Sequence, residues 1–449
     1  MPRFSLSTVL LPCALLAPAC QSYRPAPVDL LAHEASFVRR EAPRTAPGAL
    51  TRGDARTTAR LFHPDARLAR RDTGVATALR DFAGLPPDPQ LSVTPQNILE
   101  DVAHRWIVQS QLGVTLPING RLGAARTLAE RERAETIAAA WITEQRVANQ
   151  LDRAWIEWTA AEQRVRLLDE VCDNLTELQR IADALVAADS LTRPAARVFA
   201  LELRNQEILR ERAVAATAAA ALRVKQRLGL HPDAPLAFAP ELDVRPFFAD
   251  PTARRDALQQ SPRLVALQLA HLSAEADLDL QVRMQWPDLQ LWPGHQEEEG
   301  QPRAQLGFQF DLPIFNANAQ AIAAARAARE RAAEALRCGL EQLLQELSIA
   351  EVDFAAAAQQ ARRFAALREL AEQQVRGCEQ LAQAGQFDPM LLLDSLLRLN
   401  AVQQQELDAR TAAALTAVTI NDLLAAPDAA PLVFEDAAPD AAEAPGDRR

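Results

Sequence analysis

A mostly helical chain with a small β part is expected, made of one helix-strand-strand-long helix-helix unit that occurs twice. Three features of the sequence lead there. Pro64 and Pro89 return as Pro262 and Pro287 at one common offset of 198 residues (262 − 64 and 287 − 89). No proline lies between Pro117 and Pro194, and no glycine between Gly123 and Gly229. That leaves room for a helix of roughly 65 residues, about 100 Å at 1.5 Å per residue. Ahead of it, short stretches alternate apolar and polar residues with the period of a strand.

The chain opens on a targeting segment. Arg3 supplies a positive start, and Val9 to Ala17 is apolar but too short to span a bilayer as a helix. Leu16-Ala17-Pro18-Ala19-Cys20 resembles a bacterial lipobox, which implies a signal peptide over 1–19 and lipidation of Cys20. Gln21 after it implies, by the same resemblance, the outer membrane. Residues 20–54 are expected to form an extended, lipid-anchored linker.

The first repeat covers 55–229. His63-Pro64-Asp65 starts a helix, Leu91-Ser92-Val93 begins a strand, and Trp106 to Leu116 alternates as a second strand. Leu-Pro-Ile at 116–118 closes it, and an alanine-rich helix runs on to Ala188-Asp189-Ser190. A return helix ends at Leu228-Gly229, with Leu201, Ile208, Ala215 and Leu222 at the seven-residue spacing of a coiled-coil seam. Residues 230–250 connect to the second repeat, 251–426. There Ser261-Pro262 opens the helix and Leu289-Gln290-Leu291 the first strand. In the second strand Leu306, Phe308, Phe310 and Leu312 alternate with Gln305, Gly307, Gln309 and Asp311. A long helix with a stripe at Leu336, Leu340, Leu343 and Leu347 leads to Ala384-Gly385-Gln386, and the return helix ends near Leu424. Residues 427–449, acids among Ala and Pro, read as a disordered acidic tail.

Composition removes several functions. The net charge is −11, and Lys225 is the single lysine among 48 basic residues. The arginines are dispersed among acids, so no basic footprint for nucleic acid exists. With one tyrosine, Tyr23, and 5% aromatics, a stacking platform for bases is not expected. No GxSxG, HExxH, P-loop or dinucleotide glycine pattern occurs, so an enzyme is not expected. No cofactor and no metal site are expected. The six histidines share no ligand spacing, and His295 with Glu297, Glu298 and Glu299 reads as a solvated loop between strands. Cys172, Cys338 and Cys378 stand in no CxxC spacing and read as buried small hydrophobes on long helices.

Two strand pairs and two very long helical hairpins on a lipidated chain resemble the TolC-like outer-membrane factor family, in its lipoprotein branch. The resemblance spans about 55–425. It rests on the proline turn before each first helix, the Pro-x-Leu strand entry, the Leu-Pro-Ile strand exit and Ala-Gly-Gln-Phe-Asp at 384–388. It implies a homotrimer in which each copy gives four strands to a twelve-stranded barrel that continues into an α-helical barrel. It also implies a passive exit duct of a tripartite efflux or type I secretion system for small molecules, metal ions or polypeptides. Its partners would be a periplasmic adaptor and an inner-membrane pump, and Asp233 to Asp250 would belong to a belt around the tunnel. Leu306, Phe308, Phe310 and Leu312 would then face lipid, and Trp106, Trp286 and Trp292 would sit in an interfacial girdle. At the helical turn, Asp394 falls on a ring-aspartate position of the gate. Leu391 occupies the other ring position, and the first copy (Arg193 to Arg197) has no matching aspartate. Asp388 is a second gate candidate, though before Pro389 it also suits a helix N-cap. A coiled-coil periplasmic lipoprotein without a channel is the alternative, but such a spacer has no use for the amphipathic strands.

Overall fold

The computed structural model describes residues 23–44, 48–99, 106–247, 250–298, 301–386 and 388–424. Cys20, Glu299 and the 427–449 tail lie outside these. The chain divides after Glu41. The amino-terminal unit holds α1, Leu30–Val38, whose N-cap Asp29 accepts a hydrogen bond from the Ala32 amide at 3.0 Å. That helix breaks the extended course expected for 20–54.

From Ala42 on, the expected repeat is visible as one order of elements found twice. The first copy is α2 (Arg52–Phe62), α3 (Pro64–Asp81), β1 (Gln90–Asn97), β2 (Trp106–Leu116), α4 (Arg121–Ala187) and α5 (Arg193–Leu228). The second is α6 (Pro251–Leu258), α7 (Pro262–Arg283), β3 (Leu289–Glu298), β4 (Gln301–Gln309), α8 (Ala319–Gln383) and α9 (Pro389–Leu423). Boundaries follow local chemistry. His63 caps α3 by accepting from the Asp65 amide through Nδ1 at 3.2 Å. Burial lowers the His63 pKa, a shift toward the neutral imidazole that this acceptor role uses. Gly229 closes α5 at φ 69°, where a Cβ would stand 2.4 Å from the Phe62 carbonyl oxygen, so only glycine fits. The two hairpin turns solve one problem differently: Gly385 supplies the left-handed residue in one, Asp189 (φ 55°) in the other.

At 67 and 65 residues, α4 and α8 are each about 100 Å long, and the return helices are only half that. α5 therefore covers one half of α4, while α3 and α7 pack on it elsewhere; α7 and α9 flank α8 likewise. The core is a series of small clusters along these rods. One at the turns joins Leu175 and Leu178 of α4, Phe199 and Leu203 of α5, and Leu393 and Leu396 of α9. Another, near the start of α5's last turns, gathers Leu151, Trp155 and Trp158 with Val224, Leu228 and Phe238. Cys172 and Cys378 are buried as expected, but Cys338 is exposed. Among the described residues, no helix is long and apolar enough to cross a membrane.

The four strands form one antiparallel sheet in the order β1-β2-β3-β4. β1 and β4 are both open edges. The ladder of β4 stops at Gln309, so Phe310 and Leu312 lie beyond the strand that was expected to contain them. β3 itself begins one residue further on, at Leu289, which pairs with Leu116 of β2, and just outside it Asp288 is held by Arg121 in ion-pair hydrogen bonds of 2.7 to 3.1 Å. At its other end β3 runs further than expected. His295 and Glu297 are strand residues opposite Ser110 and Val108, not part of a loop.

Candidate functional site

Strand pairing sorts the sheet into two unlike faces, since residues directly opposite each other share a side. One face carries Leu91, Leu112 and Leu306 in its middle rows, with Val114, Leu291 and Phe308 in the next. The other carries Ser92, Gln111, Gly294 and Gln305, flanked by a row of Thr94, Gln109, Gln296 and Arg303. Toward the helices follow Trp292 between Gly113 and Gly307, and then Thr115, Gln290 and Gln309. At several central positions exposure is the reverse of a water-soluble sheet, although Thr94, Arg303 and Gln309 on the polar face are also exposed. Leu91, Leu306 and Phe308 are 74%, 67% and 71% exposed, while Gln109, Gln111 and Gln305 are half-buried and Gly113 is buried.

The strand glycines Gly113, Gly294 and Gly307 all lie on the polar face, where they make room for large neighbours. Trp292 leans across Gly113, and a Cβ there would come within 2.7 Å of the indole. Above Gly294 the side chains of Gln111 and Gln305 converge, leaving 2.8 and 3.1 Å to a Cβ. This corrects the girdle expectation for Trp292: it sits in mid-strand on the polar face, in phase with Gln290. Trp106 does begin β2, and Trp286 precedes β3.

Where sheet meets helices, Asn119 donates to the Trp286 carbonyl at 2.7 Å and Arg121 clamps Asp288. An open cleft of about 770 Å³ lies beside this junction, lined by Ile118, Trp286, Phe310 and Leu312 with the polar Asn119 and Asp311. Phe310 and Leu312 thus remain exposed apolar residues, but next to this cleft rather than within the ladder.

At the far ends of the helical hairpins the two gate candidates differ. Asp388 is a helix N-cap, its carboxylate accepting from the Met390 and Leu391 amides at 3.0 and 3.2 Å. Asp394 is exposed and pairs with Arg398 one turn on, at 2.7 Å. Its neighbours Leu393 and Leu392 turn into the cluster at the turns, leaving Asp394 on the opposite side of α9.

Between these two ends, buried charge ties α2 and α3 to α4, a feature the sequence reading missed. The Arg56 guanidinium forks onto Asp152, which is wholly buried. Burial works against its charge, but the hydrogen bond and charge of Asp152, with Glu241, raise its pKa overall. Arg70 reaches Glu144 at 3.3 Å while donating to the Arg60 and Leu61 carbonyls at 2.7 and 2.9 Å. Burial outweighs Arg70 and raises the Glu144 pKa. A carboxyl with a raised folded-state pKa loses stability as pH climbs through it; the cost disappears below the unfolded value. Glu144→Gln is therefore expected to raise the melting temperature at pH 8, with the gain shrinking toward pH 4, measured by thermal unfolding. Links between the repeats are also polar: Asn149 donates to Asp422 and Arg153 to the Thr419 hydroxyl at 2.8 Å, while within the second copy Arg263 pairs with Glu346 and Asp422.

No family profile matches the chain, and no curated protein matches it either. Solved structures do. CusC, described as forming a transmembrane channel, superposes with a TM-score of 0.69 at 14% identity, over 83% of this chain and 91% of its own. The outer-membrane protein VceC of Vibrio cholerae gives 0.68 at 15% identity, over 83% and 95%. The open outer-membrane channel MtrE of Neisseria gonorrhoeae gives 0.68 at 15%, over 83% and 88%. At such identities the likeness establishes a shared fold.

Proposed function

We propose that this chain, which has the TolC-like fold of outer-membrane channels, is itself the outer-membrane duct of a tripartite efflux or type I secretion system. One observation carries the reading: Leu91, Leu306 and Phe308 stand exposed on the apolar face, while Gln109, Gln111 and Gln305 are half-buried on the polar one. Such a sheet is stable only where the outer medium is lipid. The 11 residues of β2 extend about 37 Å, and a tilt of 40–45° reduces that to a rise near the ~25 Å of an outer-membrane apolar band. Two open edges cannot remain in lipid, so three copies close a twelve-stranded barrel, β4 of one beside β1 of the next. The long helices continue as a periplasmic tunnel. The stripe Leu201, Ile208 and Leu222 on α5 is exposed in the single chain, as a seam awaiting a neighbouring copy would be.

On this reading the domain boundaries are those drawn from the repeat, and Cys20 carries the lipid that anchors the mature chain in the outer membrane. An adaptor and an energised inner-membrane pump engage the other end, and cargo passes without chemistry. The spacer without a channel is disfavoured by the outward row Leu91, Leu112 and Leu306, which would face water.

Asp394 becomes a ring of three carboxylates if α9 lines the tunnel, because symmetry repeats each residue about the axis. Arg398 partly offsets each charge, so the ring is weaker than bare aspartates would make it. The experiment is planar-bilayer recording on the purified lipoprotein, with its mature terminus and mass read by mass spectrometry. A lipid-modified trimer with steady conductance is expected, and Asp394→Ala should weaken cation selectivity and block by trivalent cations from the periplasmic side. A non-conducting, water-soluble monomer would overturn the duct; unchanged block would place Asp394 off the pore.

A further inference from the structure

Taken as the lumen wall proposed above, the polar face of the sheet has an unusual chemistry. From the Thr94 row to the Thr115 row, Arg303 is its one charged side chain. The rest are amides, hydroxyls, glycines and a single aromatic, Trp292. That indole lies near the centre, with Gln111 and Gln305 meeting over Gly294 in the row on one side. Gln290 and Gln309 occupy the row on the other side, directly opposite each other. The glycines under Trp292 and between the two glutamines hold these groups low against the wall.

An indole offers a broad, rigid apolar surface, and primary amides offer both donors and acceptors beside it. A charged solute finds no counter-charge in the central rows and would leave water without compensation. A neutral ring whose faces are apolar and whose rim bears hydroxyls matches both parts at once. We propose that Trp292 with Gln111, Gln305, Gln290 and Gln309 is a contact site for uncharged, hydroxyl-rich ring solutes of the sugar class in transit through the barrel. Threefold symmetry places three such sites around the wall at one height. The pump selects the cargo, while these sites supply a weak, exchangeable step in the exit passage.

Recording on the full lipidated protein in planar bilayers, with maltohexaose as the probe, tests this. The wild-type channel should show current interruptions whose frequency rises with sugar concentration. Trp292→Ala should shorten the residence time about tenfold, equivalent to about 1.4 kcal/mol, the scale of one aromatic contact. Trp292→Phe, which keeps a ring over Gly113, should fall between, and Ser110→Ala on the outward face should match wild type. A conducting wild-type channel that maltohexaose never interrupts would overturn the site. So would equal residence times in Trp292→Ala, or Trp292-dependent block by tetraethylammonium without any by the sugar. A wild-type protein that does not conduct at all fails earlier and overturns the duct itself.

Discussion

Leu306→Arg should destabilise the assembled protein by roughly 2–4 kcal/mol per copy, the cost of a cation on a barrel's lipid face near mid-membrane. Leu306 shares its row with Leu91 and Leu112, in the middle of the apolar band, and Phe308→Arg, one row toward the helices, should act in the same direction. In a trimer the cost is incurred three times. Gln305→Arg, one residue away on the sheltered face, should be tolerated and should alter conductance instead. The contrast decides the medium. If water bathed the outward face, a residue 67% exposed would accept arginine within about 0.5 kcal/mol. Unfolding midpoints in lipid vesicles, read by the shift from trimer to monomer on gels, provide the measurement. Equal tolerance at 305 and 306 would reject the membrane barrel.

Arg56→Ala should cost about 3–5 kcal/mol, because it leaves the Asp152 carboxylate buried without a counter-charge. Asp152 has 1% of its side chain exposed, against 30% for Arg56. The pair is therefore asymmetric. Asp152→Asn should cost less, since the released guanidinium can turn toward water. Arg56→Met with Asp152→Leu should recover much of the loss, as apolar replacement of a buried pair often does. Denaturant titration of the helical signal would measure all three. A near-neutral Arg56→Ala would show that α2 is not anchored on α4 through this pair.

Much of the architecture could be read from residue order. The common offset of the prolines and the glycine-free run behind Gly123 give the duplicated unit and the length of α4, because both report backbone rules that act locally. The period-2 pattern gives the faces of β2 and β4 for the same reason: a strand cannot turn a side chain without moving its neighbours. It even contained the true position of Trp292, which is in phase with Gln290 and out of phase with Leu289 and Leu291. Caps such as His63 and Asp388 are also local, each completed within three residues.

What residue order could not supply arises where distant segments meet. β4 ends at Gln309 although the alternation runs on to Leu312, and Asp288 beside β3 is held by Arg121 from the other repeat. β3 runs to Glu298, with β2 opposite it as far as Glu297 and β4 as far as Glu298. Asp394 is balanced by Arg398, a pairing that could be suspected from spacing but is realised only because Leu392 and Leu393 turn the other way. The charges buried around Asp152 and Glu144 join residues 96 and 74 positions apart. Periodicity fixes which side of an element is apolar, since that depends on dihedral angles within it. Which element covers that side, and where a ladder runs out of partners, depends on packing between elements, and there the chain's order is silent.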